Sequence, residues 1–429
     1  MESLNIKRAL LSVSNKQDLI WLAEALLKHK IRLISTGGSA KTLKEAGIAV
    51  TYVHELTGFP EIMDGRVKTL HPSIHAAILA DRDNPKHCSA LEAYRIQPID
   101  LVVVNLYRFD KALAEGAGED DCLEHIDIGG PAMIRAAAKN FRHVAIVTNP
   151  DQYHSVTREL EQNDGRLSIA LRRKLASRAY HLTSSYDAMI ADWFTGLEAD
   201  PATIDRTDDA GDRLQITGQR LQQMRYGENP HQSAALYATD DADGLLARAT
   251  LLQGKECSYT NWLDSDAALL LASEFEDPAA VIIKHVTPCG AASAAQPDEA
   301  LDLALASDPE SAFGGIVGLN RPVDAAVAAR LAEFFLEVVI APDFHDDALA
   351  ILAAKPNLRL LKVGKLEGPQ SWQSFKSIRG GMVRQREYKG ITRPEDWNHA
   401  CGPRPDQSLI EALSFAMLVA KHARSNAIA

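Results

Sequence analysis

The stretch Gly65-Arg66-Val67-Lys68-Thr69-Leu70-His71-Pro72 places a guanidinium, an amine and a hydroxyl within four residues of one glycine turn. Two other polar turns share its character, Ser35-Thr36-Gly37-Gly38 and Ile126-Asp127-Ile128-Gly129-Gly130, with Lys139 just beyond. Each falls where an apolar run gives out or a helix is about to start. Hydroxyls and small glycines at such junctions suit phosphate, because the first N–H groups of a helix are unpaired and face the positive end of its dipole. Ser12, Ser14 and Lys16, at the end of the apolar run Arg8 to Val13, form a fourth segment of this kind. Singly, each reads as a serine cap or a glycine turn. Together with Arg66, Lys68 and Thr69 they read as a pocket for a phosphorylated small molecule.

Lys68, Tyr107, Asp127 and Lys139 are the candidate reacting groups. An ammonium beside a carboxylate can hold charge on a developing oxyanion. A carboxylate held near an amide can take its proton. Any one of these residues alone reads as a solvated surface group. His71 and His75 stand four apart, a metal-like spacing, but no carboxylate or thiol accompanies them, so both read as structural and no metal site is assigned.

These groups need a scaffold. Arg8 to Val13, Ile31 to Ile34, Leu101 to Val104 and Val144 to Val147 are short apolar runs of the kind buried parallel strands show. Between the first two, Leu19, Leu22, Ala23 and Leu26 recur at helical spacing. A helix opens at Gly38-Ser39 and closes at Gly47, and another runs from Met133 to Ala138 into Lys139. Strands alternating with helices predict a parallel α/β sheet. Ligands of such sheets sit at the carboxyl ends of the strands, where these polar turns fall. From about 165 to 197 helical residues dominate. The acidic, Pro- and Gly-containing stretch 199–213 then reads as a linker. The expected organisation is a first domain over 1–198, that linker, and a second α/β domain over 214–429 whose clearest buried strand is Ala280 to Ile283.

A chain of 429 residues is too long for one core. Its net charge of -11 argues against general binding to nucleic acid or acidic membranes. The five cysteines are scattered with no C-x-x-C, which fits a reducing, cytoplasmic setting. No apolar run approaches the roughly 18 residues of a membrane span, and the N-terminus reads directly into a strand with no signal peptide.

Ordered motifs then run through most of the chain. They are Leu11 to Lys16, Ser35 to Gly38, Gly65 to Pro72, Val104 to Tyr107, Ile126 to Pro131 and Arg135 to Asn140 in the first half. In the second they are Arg225 to Gln232, Gln253 to Lys255, Ile283 to Gly290, Ser311 to Gly315 and Ser425 to Ile428. In these the chain resembles the bifunctional purine-biosynthesis enzymes that combine inosine monophosphate (IMP) cyclohydrolase with aminoimidazole carboxamide ribonucleotide (AICAR) formyltransferase. The resemblance implies a methylglyoxal-synthase-like parallel-sheet domain followed by a cytidine-deaminase-like α/β domain. In the first, Ser12, Ser14, Lys16, Ser35, Thr36, Gly37, Gly38, Arg66 and Thr69 would hold the nucleotide, and Lys68, Tyr107, Asp127 and Lys139 would serve ring closure of the formylated substrate FAICAR to IMP.

In the second, the resemblance implies that Lys284 and His285 serve formyl transfer, with His285 moving the amine proton. Arg225, Tyr226, Asn261 and Asn426 would hold the ribonucleotide, and Phe313, Gly314 and Gly315 would line the site. The co-substrate would be 10-formyltetrahydrofolate. Deaminase-like folds usually carry H-x-E and C-x-x-C for zinc; neither pattern occurs, in keeping with the zinc-free branch, and no metal is expected. A homodimer is expected. The chain departs from the family's pattern at Ser73, Ala76-Ala77, Arg108, Phe141 and Met417. Family members continue beyond Ile428, so a partial second domain and impaired formyl transfer are also expected. Two other classes compete: a non-catalytic phosphate- or nucleotide-sensing regulatory module, and a scaffold that only dimerises. Sensing needs the phosphate grip but not Lys68, Tyr107, Asp127 and Lys139.

Overall fold

Runs of consecutive apolar residues cannot face water on either side, so they become the central strands of a covered sheet. The computed structural model describes residues 3–198, 214, 216–239, 245–366, 373–387, 391–392, 394–424 and 426–427. The chain divides into two compact units, Met1–Gln215 and Ile216–Ala429. The stretch 199–213, expected as a linker, lies outside the described residues.

In the first unit five strands form one parallel sheet in the order Thr51–Tyr52, Arg32–Ser35, Arg8–Val13, Leu101–Asn105, Ala145–Val147. Arg8–Val13 occupies the middle. Chain order runs outward from it on one side, then returns to its other side with Leu101–Asn105. This reversal opens a crevice at the carboxyl ends of the two central strands, where Ser12-Val13-Ser14 and Asn105-Leu106-Tyr107 emerge. Leu101 to Val104 are buried one after another, so both sheet faces are covered. Helices Leu19–Lys28, Gly37–Glu45, Pro72–Leu79, Gly129–Lys139 and Tyr153–Gln162 do the covering, with the 30-residue helix Ile169–Glu198. The helix expected from Gly38 begins one residue earlier, and that expected over Met133–Ala138 extends back to Gly129. The region from about 165, expected to be mainly helical, opens with a three-residue strand, Arg166–Ser168, paired antiparallel to Ser3–Asn5, before helix Ile169–Glu198 begins.

The second unit holds a six-stranded mixed sheet ordered Thr250–Gln253, Arg359–Lys362, Val338–Ala341, Ile316–Leu319, Ala279–Lys284, Thr287–Ser293. Helices Pro297–Ser307, Ala325–Glu333 and Asp346–Leu352 contribute to one apolar cluster and helix Tyr259–Ala272 to another. No helix among the described residues is long and apolar enough to cross a membrane.

Candidate functional site

At the crevice, Ser12 Oγ and Thr36 Oγ1 lie 2.8 Å apart, joining the ends of neighbouring strands. Thr36 is the N-cap of helix Gly37–Glu45, and Gly37 takes a left-handed φ of 39°. A Cβ on Gly38 would stand 3.3 Å from Lys16 Nζ, so the ammonium lies over the start of this helix. A cation and free helix N–H groups aimed at one place make an anion seat. Ser35 is spent structurally, its hydroxyl donating to Leu11 O at 2.7 Å. Ser14 is held through its backbone: Asn105 Oδ1 accepts the N–H groups of Ser14 (2.6 Å) and Asn15 (2.9 Å), while Asn105 Nδ2 donates to Asn15 O. Beside the cradle, Gly37, Tyr52, His54, Gly58, Phe59, Pro60 and Glu61 line an open cleft of about 630 Å³. A smaller hollow of about 280 Å³ lies among Ser14, Tyr107, Arg108, Glu124 and His125.

Lys68 Nζ lies 3.5 Å from the Tyr107 hydroxyl. Asp127 Oδ1 accepts the Gly130 N–H at 2.8 Å, and its backbone N–H donates to the Tyr186 hydroxyl at 2.8 Å. Burial pushes the Asp127 carboxyl above its ordinary value, opposed by the N–H of Gly130, the charge of Lys68 and the N–H of Tyr107. Lys68 thus stands beside the Tyr107 hydroxyl and its charge acts on the Asp127 carboxyl. A Cβ on Gly130 would collide with the Asp127 carboxylate, so glycine there is required by close approach. Thr69 is buried, its hydroxyl 3.0 Å from where a Cβ on Gly129 would lie. Arg66 is paired with Glu124 of helix Glu119–Glu124, both exposed.

In the second unit Lys284 Nζ donates to Phe313 O at 2.8 Å, tying the end of its strand to the Phe313-Gly314-Gly315 loop. Gly314 has φ 70° and donates to Phe335 O; a Cβ on Gly315 would crowd Ala312 O and Ile283 O. His285 and Val286 form the two-residue turn between Ala279–Lys284 and Thr287–Ser293, at φ 55° and 59°. Glycine or asparagine normally fills such a turn, and a β-branched residue there is strained. Asp264 Oδ1 holds it by accepting the Val286 N–H at 2.6 Å. His285 is exposed, because the turn carries it beyond the ends of the two paired strands. Asn261 is buried in a capping box with Ser258. Arg225 lies 5.8 Å from the Tyr226 ring centroid, and Asn426 is exposed beyond helix Gln407–His422.

Residues 137–429 match the AICARFT/IMPCHase bienzyme family, and residues 18–132 match the MGS-like domain. The chain belongs to the AICARFT/IMPCHase bienzyme family. Relatives named "Bifunctional purine biosynthesis protein PurH" include that of Bradyrhizobium diazoefficiens, 47% identical over 99% of this chain and 79% of the relative. That of Rhodospirillum rubrum is 48% identical over all of this chain and 80% of the relative. A solved structure titled "Crystal structure of ForH" is 37% identical over 44% of this chain and 97% of its own, with a TM-score of 0.40, too low to carry an argument.

Within this AICARFT/IMPCHase chain, Lys68, Tyr107 and Asp127 gather beside the anion cradle. Lys139 ends the helix that Gly129 begins, about 15 Å along the axis from it at 1.5 Å per residue. Sequence reasoning passed over Glu61, Asn105 and Tyr186. Glu61 reaches within 4.0 Å of where a Cβ on Gly37 or Gly65 would lie. A polar residue closing the apolar run 101–104 was a visible signal for Asn105. Tyr186 carried none, since its partners lie 59 and 61 residues away.

Among the described residues one group has metal-like spacing, Asp81, Asp83 and His143. It lies by the amino ends of the strands, remote from the crevice. Buried His143 Nε2 stands 3.0 Å from Asp81, while its Nδ1 is buried without a partner. A ligating imidazole needs an acceptor for its other N–H. The group therefore fits a structural hydrogen bond better than a metal. His71 Nδ1 accepts the Ser73 N–H as a helix cap.

Proposed function

We propose that the chain catalyses both reactions of its family, formyl transfer to AICAR and dehydrative closure of the product to IMP. The observation that carries ring closure is the convergence of Lys68 and Tyr107, 3.5 Å apart, with the half-buried Asp127 carboxylate beside a cradle for phosphate. The phosphate of the formylated ribonucleotide lies at Lys16, Thr36, Gly37 and Gly38, with Ser12, Ser14, Arg66 and Thr69 around it. Arg66 would exchange Glu124 for the ligand. The carboxamide nitrogen and formyl carbon belong to one molecule, so holding them in reach supplies much of the rate. The nitrogen attacks the formyl carbon and its proton passes to Asp127. Lys68 and Tyr107 stabilise the negative oxygen. Asp127 returns that proton to the oxygen, and the formamide N–H then gives up its own proton to the departing hydroxyl, by way of Asp127, as the ring C=N bond forms and water leaves.

In the second unit, Lys284 and His285 serve formyl transfer from a formyl-folate co-substrate, taken to be 10-formyltetrahydrofolate. The AICAR amine attacks the formyl carbon, His285 takes the amine proton and delivers it to the folate nitrogen, and the bond between that nitrogen and the formyl carbon breaks to release tetrahydrofolate. Arg225, Tyr226, Asn261, Asn426 and the Phe313-Gly314-Gly315 loop hold the reactants. Lys139 stays within the proposal as a ring-closure residue to be tested by substitution. The protein works as a cytoplasmic homodimer without nucleic-acid or membrane partners, a reading supported by its acidic charge and five free cysteines. The test supplies AICAR and 10-formyltetrahydrofolate to the full chain and follows tetrahydrofolate and IMP. Both products are expected, and loss of the first in His285→Ala. Turnover unaffected by that change would remove His285 from the mechanism.

A further inference from the structure

The helix Ile169–Glu198 lies outside every motif that points to the site, yet its side chains reach the Asp127 backbone and Phe109, two residues beyond Tyr107. Tyr186 is buried, and its hydroxyl sits between two backbone groups of the loop that carries Asp127. It accepts the Asp127 N–H at 2.8 Å and donates to His125 O at 3.0 Å, bridging across Ile126. Its ring meets Phe109 edge-on with centroids 6.4 Å apart, and Trp193, two turns further along the same helix, meets Phe109 at 5.5 Å. Phe109 follows Tyr107 by two residues, and its N–H donates to Tyr107 O.

We infer that Tyr186 is a positioning residue for ring closure, its hydroxyl clamping the His125–Asp127 loop so that the Asp127 carboxylate faces Lys68. The inference rests on the reading of Asp127 as the proton acceptor. The Gly130 N–H holds one oxygen of the Asp127 carboxylate, and the two hydrogen bonds of Tyr186 to the flanking backbone fix where the loop carries that carboxylate. Capping alone would not need a tyrosine from so distant a segment, because Asp127 already accepts the Gly130 N–H through its own side chain. Burial pushes the Tyr186 phenol up to about 12, so it remains a neutral donor and acceptor across the working pH range. The groups facing the pair are Lys68 and the Tyr107 and Gly130 N–H groups toward Asp127, and Asp127, Asp187 and Tyr107 toward the phenol.

The test is Tyr186→Phe in the full chain, which keeps the ring and its packing on Phe109. Ring closure is expected to lose 10- to 100-fold in kcat, as misplacement by about 1 Å does. KM for the formylated ribonucleotide should stay within about twofold and formyl transfer should be unchanged. The acid limb of the ring-closure pH profile should move down, as a carboxylate freed into water titrates lower. Tyr180→Phe on the same helix, whose hydroxyl reaches only Arg135 O at 3.4 Å, should leave ring closure unaltered. Carboxyl-carbon NMR titration of Asp127 gives a readout independent of turnover, expected to shift down in Tyr186→Phe. An unchanged kcat and titration, or parallel loss of both activities, would overturn the inference. A wild-type chain that makes no IMP, yet shows the titration shift, would overturn the functional reading while leaving the clamp in place.

Discussion

Lys68 is a cation placed against both the Tyr107 phenol and the Asp127 carboxyl. Removing a donor aimed at a developing oxyanion typically costs 10² to 10³ in rate. Lys68→Ala is therefore expected to slow IMP formation by at least about 100-fold with formyl transfer intact, as measured by separate assays of the two steps. A fall of less than about threefold would assign the oxyanion elsewhere. Lys16 tests the cradle in another way. Charge-assisted hydrogen bonds are worth roughly 1.5–3 kcal/mol each, so IMP should bind well over tenfold tighter than inosine by calorimetry. Lys16→Ala should narrow that gap, and equal affinities in the wild type would rule the cradle out. At this scale the sequence was legible where chemistry is local. Residues 35–38 and 65–72 announce themselves by type and spacing. Tyr186 and Glu61 act across folded distance, which no local pattern encodes.

Among the elements, the turn at His285-Val286 is the most strained feature near a candidate site. Non-glycine residues at such φ cost about 1–3 kcal/mol, and this strain persists because Asp264 and the flanking strands fix the turn. Val286→Gly is expected to keep or raise the thermal midpoint while formyl transfer slows, since the relaxed turn no longer fixes His285. A large loss of stability would show that Val286 packing, not turn geometry, matters. A second element effect lies at the opposite end of the first sheet. Burial holds the His143 imidazole below its ordinary value, against the charges of Asp83 and Asp81. The unfolded chain takes up that proton near pH 6.5 and the folded chain resists it. Stability is therefore present above pH 6.5 and lost as pH falls toward the depressed folded value. His143→Gln should flatten that loss in melts between pH 7 and 5, though only in part, since burial lowers His75 in the same direction. An unchanged slope would mean His143 does not resist protonation. The strands at 8–13, 32–35 and 101–105 were readable because buried parallel strands are apolar throughout. Arg166–Ser168 was not, because three residues at a helix start carry no period of their own.

For the molecule as a whole, the parallel sheet, the crevice at its switch point and the family follow one another from sequence to structure. The competing reading as a phosphate sensor finds no support, because the chain belongs to a bienzyme family and brings reacting groups to the cradle. The two proposed sites fall on separate compact units, which gives each substitution an internal control, since damage to one activity alone cannot be ascribed to general unfolding. The most direct measurement incubates the purified full chain with the formylated ribonucleotide and follows IMP by absorbance, beside Asp127→Asn and Lys68→Ala preparations with intact formyl transfer. The account predicts rapid IMP formation by the wild-type chain, reduced at least about 100-fold in each variant. IMP formation at equal rates in all three would contradict the assignment of ring closure to this crevice.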